Sequence, residues 1–491
     1  MNEKRPRIRS NLYYNIFFTA VNILYPVLLF SYISRVVGPE IFGKLNFATA
    51  LAAYFTLLGA CAVAPYGSRE IARAGRDNAL VSKIVSELFS LNCISVMISL
   101  CLFLVLVFSV NKFQKDWLLF AITGVNVVFC GISPDWFFQG TENYRSIALR
   151  NTFVKLATIL CMFAFIKTRD DYLKYAAINA ANTVAYFAIA MFICRKSVGI
   201  RFNLHGVRRH LRPLLFLTAS LWMVSMYTFL DSVYLGFMAD EKSVGLYAVG
   251  MKINRMLITL IASIGAVLTP RISYYIEQQM HENYEAIIKR SFRLIVLLAV
   301  PVGALVFLLA PQIVSLIAGD KFSQAIITLR IGTPLIPIVA LANWLNVCLM
   351  VPNRRDREIF ISSVCAAAVS AAMNIMLVPL LRYNGTALAS IAAESTACIV
   401  LFTAFRKTTR RIHFLDARIF NYVAATAAGC VPVVVICSLV RNNALSAAAS
   451  ACCMGAVYIG GLCVRRDDIV LDAVRMLGSR VFKGNRQEAA L

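Results

Sequence analysis

The chain has 491 residues, of which 59% are hydrophobic and only 15% are charged, against about 25% charged residues in an average soluble domain. This composition excludes a soluble globular enzyme, a disordered chain and a fibrous repeat, because each would need more polar surface or fewer apolar residues. The formal net charge of +24 would favour a nucleic-acid partner in a soluble protein, but membrane topology explains it equally well.

The apolar residues occur in runs of about 20, the length of a helix that crosses a bilayer. They predict an all-α polytopic membrane protein with about fourteen transmembrane helices and no soluble domain. The predicted spans, in chain order, are 11–34, 45–66, 84–109, 118–138, 146–166, 173–194, 213–238, 246–269, 294–318, 326–351, 359–381, 386–405, 419–440 and 444–463.

The distribution of basic residues predicts the orientation. With the N-terminus in the cytoplasm, 34 of the 49 Lys and Arg residues fall in cytoplasmic segments and 10 in outside segments. We therefore expect both termini in the cytoplasm and no nucleic-acid partner. Trp117 and Trp136 bracket the fourth span, about 28 Å apart along a helix, as expected of aromatic residues at the two bilayer interfaces.

Two short matches suggest an internal repeat. Gly43 matches Gly245, and GACAVAP from Gly59 falls near GAVLTP from Gly265. Both offsets are close to 200 residues, so we expect two six-helix lobes in a parallel repeat, with substrate bound between them. The predicted organisation is an N-lobe (1–194), a basic cytoplasmic linker (195–212), a C-lobe (213–405), two added helices (406–464) and an amphipathic cytoplasmic tail (465–491).

Ionisable residues deep in a membrane are costly and mark functional sites. Lys155, Lys252 and Arg255 are deep cations, and Asp231 and Glu394 are deep anions. The basic excess suits an anionic cargo such as a phosphate or pyrophosphate. Internal ion pairing is the alternative, with Asp231 paired to either cation of span 8. Three further charges, Glu87, Lys174 and Arg330, lie near span ends, where extension of the side chain to water would explain them.

Several other features are absent from the sequence. It contains no P-loop, and the predicted outside loops are too short for an extracytoplasmic active site. The four histidines lack the spacing of metal ligands and fall in predicted cytoplasmic loops: His205, His210, His281 and His413. We therefore expect no metal, no cofactor and no enzyme activity.

Motifs in both halves of the chain, in order over residues 8–405, resemble the polysaccharide or O-antigen type flippases of the multidrug/oligosaccharidyl-lipid/polysaccharide (MOP) exporter superfamily. Seven segments carry the resemblance. In the first half they are YPVLLFSYISRVVGPEIFGK from residue 25, YGSREIA from residue 66 and PDWFFQGTENYR from residue 134. In the second half they are DSVYLGFMADEKSVGLYAVGMKI from residue 231, LTPRIS from residue 268, LMVPNRRDREIFISS from residue 349 and NIMLVPLLRYNGTALASIAAE from residue 374.

The resemblance implies a two-lobed transporter of the bacterial inner membrane. It implies a flippase that moves an undecaprenyl-pyrophosphate-linked oligosaccharide to the outer leaflet, with membrane lipids and polysaccharide polymerase or assembly machinery as partners. It also implies that cationic residues line the cavity, and by position these are Arg35, Lys252 and Arg255. The assignment of Lys155 to the cavity depends only on its predicted depth in the membrane. Alternatives are an ion-coupled multidrug or cation exporter of the same superfamily, a lipid II flippase, and a membrane enzyme of glycan assembly.

Overall fold

The computed structural model describes residues 8–75, 77–204, 206–408 and 417–475. Every regular element in these residues is helical, which confirms the all-α class. The helices are α1 (Ile8–Ala60), α2 (Val63–Ala74), α3 (Asn78–Ser109), α4 (Asn111–Gln114), α5 (Trp117–Gly131), α6 (Asp135–Gly140), α7 (Tyr144–Phe165), α8 (Tyr172–Ser197), α9 (Arg208–Met238), α10 (Glu241–Glu277), α11 (His281–Leu308), α12 (Ala310–Ile317), α13 (Ala325–Gly332), α14 (Leu335–Trp344), α15 (Asp356–Thr408), α16 (Ala417–Leu439) and α17 (Asn443–Val464).

Within the described residues, eleven helices are long and apolar enough to cross a membrane, judged by length and composition. The two longest elements each contain two predicted spans. Gly38, with φ 76°, interrupts α1, and Arg382, with φ 49°, interrupts α15. These observations confirm a polytopic helical membrane protein, while the count of fourteen spans stays a prediction.

The chain forms two compact units, Met1–Gly245 and Leu246–Leu491. We refer to them as unit 1 and unit 2 and describe each by itself. The predicted lobes, their linker at 195–212 and the two added helices stay predictions.

One part of the unit 1 core is built from α2, α3, α6, α8 and α9. Trp136 is 2% exposed there, and its indole lies so close to Gly67 that a Cβ at that position would come within 2.6 Å of the ring. Since α5 ends at Gly131 and a new helix begins at Asp135, the chain turns before Trp136 and carries it into the protein core. The predicted position of Trp136 at a lipid interface is therefore wrong, while Trp117 is exposed.

Two glycines of unit 1 allow main chains to touch. A Cβ on Gly43 would overlap the carbonyl oxygen of Glu241 and lie 2.7 Å from the backbone nitrogen of Gly245. A Cβ on Gly245 would in turn overlap the carbonyl oxygen of Pro39. The two glycines matched in the predicted repeat thus contact each other, and a larger residue at either position would force the backbones apart.

Ion pairs surround this contact. The Lys44 ammonium lies 2.7 Å from the Asp116 carboxylate and 3.8 Å from that of Glu241. The part of α1 that follows Gly38 therefore contacts the start of α10 both through its main chain and through a charged side chain.

In unit 2, the segment after α17 docks on the helices. Asp467 accepts hydrogen bonds from the amides of Ile469 and Val470, so it caps the helical residues 468–475. Ile469 and Val470 are buried in a cluster with Leu297 and Tyr422. Ile469 and Val470, which belong to the predicted amphipathic tail, thus pack on protein and not on lipid. Residues 476–491 of that tail lie outside the described residues.

Candidate functional site

The predicted site residues of unit 1 lie on three helices. Arg35 is exposed on α1, just before the break at Gly38, and Lys155 is half-buried on α7. Asp231, on α9, is 2% exposed. Their assignment to a binding site stays a prediction.

The predicted site residues of unit 2 lie on two helices. Lys252 is half-buried and Arg255 is exposed, three positions further along α10. This spacing places the two cations on neighbouring positions of one helix surface. Glu394 is half-buried on α15.

A cavity of about 500 Å³ lies within unit 1, among the second part of α1, α5 and α8. Its size falls in the range of about 300–1,000 Å³ that is typical of small-molecule pockets. None of the described residues that line it is charged. Its polar lining consists of hydroxyl, amide and thiol side chains: Thr49, Thr56, Thr123, Asn126, Cys130, Tyr175, Asn179, Asn182 and Thr183.

Helical periodicity brings these side chains to one cavity. On α8 they occupy positions 175, 179, 182 and 183, which share one face of a helix with 3.6 residues per turn. On α5 the spacing is 123, 126 and 130, and on α1 it is 49 and 56. Each helix therefore contributes one polar stripe, and the three stripes face the same space.

Hydrogen bonds fix the orientation of three amides. Thr183 donates its hydroxyl proton to Asn126 Oδ1 at 2.7 Å. Asn179 Nδ2 donates to the carbonyl oxygen of Tyr175 at 3.1 Å, and the Thr158 hydroxyl shares its proton between the Val154 carbonyl oxygen at 2.8 Å and Asn182 Oδ1 at 2.9 Å. With these oxygens engaged, Asn126 and Asn182 retain NH2 donors for a ligand, and Asn179 retains its oxygen as an acceptor.

A short polar chain joins Lys155 to this cavity. The Lys155 ammonium lies 5.4 Å from the centroid of the Tyr25 ring, within reach of a cation–π interaction. The Tyr25 side chain lies beside Thr158, whose hydroxyl is 2.8 Å from the Val154 carbonyl oxygen and 2.9 Å from Asn182 Oδ1 at the cavity wall. Of the predicted cations of unit 1, Lys155 is therefore connected to an uncharged binding space.

This cavity is not among the predictions from the sequence, which rest on ionisable residues inside the spans. The signal was present as Asn and Thr at helical spacing in the second, fourth and sixth predicted spans. Such residues also join transmembrane helices by hydrogen bonds, so the pattern alone does not distinguish a cavity wall from a helix contact.

A buried charge cluster of unit 1 corrects two further predictions. The Glu87 carboxylate is fully buried and pairs with Arg209, and its Oε2 lies 3.1 Å from His210 Nε2. His210 Nδ1 is 2.8 Å from the Tyr66 hydroxyl. Glu87 thus does not extend to water, because α9 begins at Arg208 and brings Arg209 to the carboxylate. His210 lies on the same helix and not in the predicted loop. His205 and His413 lie outside the described residues.

The sequence matches two family models. The model described as polysaccharide biosynthesis protein matches residues 8–276, and the MatE model matches residues 217–377. Two relatives are named as O-antigen transporters. The one from Escherichia coli K12 is 26% identical over 412 residues, which are 83% of this chain and 99% of the relative. The one from Shigella dysenteriae is 23% identical over 371 residues, 74% of this chain and 90% of the relative.

Solved structures show the same fold. The lipid II flippase MurJ, in an inward closed conformation, superposes with a TM-score of 0.77 at 14% identity, over 94% of this chain and 100% of that one. An inward-facing multidrug resistance MATE transporter of the MOP superfamily superposes with a TM-score of 0.65 at 15% identity, over 79% and 94% of the two chains. At this identity the likeness concerns the fold alone.

Proposed function

This chain belongs to the polysaccharide biosynthesis protein family of the MOP exporter superfamily, and from that premise we propose that it flips an undecaprenyl-pyrophosphate-linked oligosaccharide from the inner to the outer leaflet of the bacterial inner membrane. The family match over residues 8–276 carries the proposal. Membership of this superfamily makes the chain a membrane transporter and not an enzyme.

The excess of cations among the deep ionisable residues supports an anionic cargo. Lys155, Lys252 and Arg255 would replace water around the pyrophosphate, since guanidinium and ammonium groups form charge-assisted hydrogen bonds with phosphate oxygens. Asp231 and Glu394 would balance these charges in the empty transporter. A cation exporter would be served better by an acidic excess, so we place it second.

The transport cycle that we propose is alternating access. The glycan and pyrophosphate enter from the cytoplasmic side, where both termini are predicted to lie, while the polyprenyl tail remains in lipid. The cargo shifts the population between two conformations only as far as it binds them with different free energies. An exchange of charge partners, anion for phosphate, would provide such a difference.

Neutralising two cations on one helix tests the proposal. In a deletion strain complemented with Lys252→Gln/Arg255→Gln, we expect at least a tenfold loss of surface polysaccharide, because two charge-assisted contacts of about 1.5–3 kcal/mol each are removed. Lys242→Gln/Arg271→Gln is the matched control, since both side chains are exposed on the same helix and outside the predicted site. Unchanged export by the first double variant at normal protein levels would refute the assigned role of these cations.

A further inference from the structure

The uncharged cavity of unit 1 is chemically unsuited to a pyrophosphate. Its described lining offers amides, hydroxyls and a thiol but no cation. A dianionic group moved into it would lose its water without gaining a counter-charge, which is strongly unfavourable. The cavity therefore favours a neutral ligand that has both hydrogen-bonding groups and apolar surface.

The unused hydrogen-bonding groups of the lining are of both kinds. Asn126 and Asn182 keep NH2 donors because their oxygens accept from Thr183 and Thr158. Asn179 keeps its amide oxygen because its nitrogen donates to the backbone of Tyr175. A sugar hydroxyl is both a donor and an acceptor, so it can satisfy either kind of group.

The apolar part of the lining also fits a sugar. Tyr175 brings an aromatic ring to the cavity, and Ala52, Ala53 and Leu57 bring aliphatic surface. A pyranose ring has hydroxyls on its edge and C–H bonds on its faces. A wall that combines oriented amides with aromatic and aliphatic surface can contact both.

We propose that this cavity is a sugar subsite, which binds one or more neutral sugar residues of the lipid-linked cargo. Asn126, Asn179 and Asn182 are its specificity-determining residues. Lys155, whose ammonium lies over the Tyr25 ring, would bind the pyrophosphate that carries these sugars. This inference rests on the proposed flippase function, because it divides the cargo into a neutral part and an anionic part with separate contacts.

Binding of synthetic probes to the purified full chain in nanodiscs tests the subsite. The probes are farnesyl pyrophosphate without sugar, and farnesyl pyrophosphates that carry one to three neutral hexose or N-acetylhexosamine residues. The wild-type protein should bind at least one glycosylated probe ten to a hundred times more tightly than the sugar-free probe, because two or more neutral hydrogen bonds are added.

Two different variants should remove this preference. Asn126→Leu/Asn182→Leu deletes the donors, and Ala53→Leu fills the cavity while leaving every amide in place. In both variants, the affinity for the glycosylated probe should lie within about twofold of the affinity for the sugar-free probe. The affinity for the sugar-free probe should equal that of the wild type, and this result would show that the variants are folded. Asn46→Leu is the control, because Asn46 lies on α1 outside the lining and bonds to the backbone of its own helix; it should keep the preference.

The outcomes separate the subsite from the function. If the wild-type protein prefers no glycosylated probe, or if both variants keep its preference, the sugar subsite is wrong and the flippase proposal stands. If the wild-type protein does not bind the sugar-free pyrophosphate either, the proposed anionic cargo is wrong, and with it the proposed function on which the subsite depends.

Discussion

At the scale of single residues, the buried Glu87 cluster is the most sensitive point of unit 1. Arg209→Ala would leave the Glu87 carboxylate, which is fully buried, without its guanidinium partner. We expect a loss of about 2 kcal/mol in stability, less than the roughly 3–5 kcal/mol for breaking a fully buried pair, because Arg209 itself is half-exposed. The thermal unfolding midpoint of the purified protein measures this loss.

The matched control is Arg201→Ala, which removes an exposed arginine and should leave the midpoint unchanged. Adding Glu87→Gln to Arg209→Ala should recover part of the loss, because the unpaired charge disappears. A double variant that is less stable than Arg209→Ala would show that the carboxylate has another role.

A second prediction for single residues concerns pH. The hydrogen bond from the Arg293 guanidinium lowers the pKa of Asp468 to about 2, whereas an unfolded Asp has a pKa of about 3.9. Because the folded pKa is the lower one, the ionised carboxyl stabilises the docked segment above about pH 4, and this contribution is lost as the pH falls through 2. The unfolding midpoint of Asp468→Asn should lie below that of the wild type at pH 6, and the difference should shrink on acidification. A difference that is constant from pH 6 to pH 2 would contradict this account.

At the scale of elements, the contact between α1 and the start of α10 depends on the absence of side chains. Gly43→Ala should destabilise the protein by about 1–3 kcal/mol although alanine favours helices, because its Cβ would overlap the Glu241 carbonyl. Gly460→Ala on α17 is the control, since no atom lies within 4 Å of a Cβ there. Comparison of the two unfolding midpoints checks the prediction, and equal effects of the two substitutions would exclude a tight contact.

The same elements show what the sequence can and cannot predict. Helix identity follows from apolar runs of bilayer length, so the all-α class needs no tertiary information. The burial of Trp136 and Glu87 depends instead on partners 69 and more than 120 residues away in the chain, Gly67 and Arg209. No local pattern contains such contacts, so both residues were predicted to face the membrane interface or water.

At the scale of the whole molecule, two kinds of candidate binding group are present: predicted cations inside the spans, and uncharged hydrogen-bonding side chains that line the unit 1 cavity. The predicted cations can be found in the sequence because an ionisable residue inside a span stands out. The unit 1 cavity becomes visible only when α1, α5 and α8 assemble, since Asn126, Asn179 and Asn182 could equally have been used in helix contacts. The proposed cargo would connect the two, because a glycan pyrophosphate has both an anionic and a neutral polar part.

Translocation by the purified protein tests the central claim most directly. Lipid-linked oligosaccharides extracted from a deletion strain would be placed in liposomes with the protein, and an impermeant sugar-oxidising enzyme outside would report how much glycan becomes accessible. We expect the accessible fraction to rise above the share of glycan that starts in the outer leaflet, and we expect Lys252→Gln/Arg255→Gln to suppress the rise. An accessible fraction equal to that of protein-free liposomes, with correctly folded protein present, would contradict the flippase function.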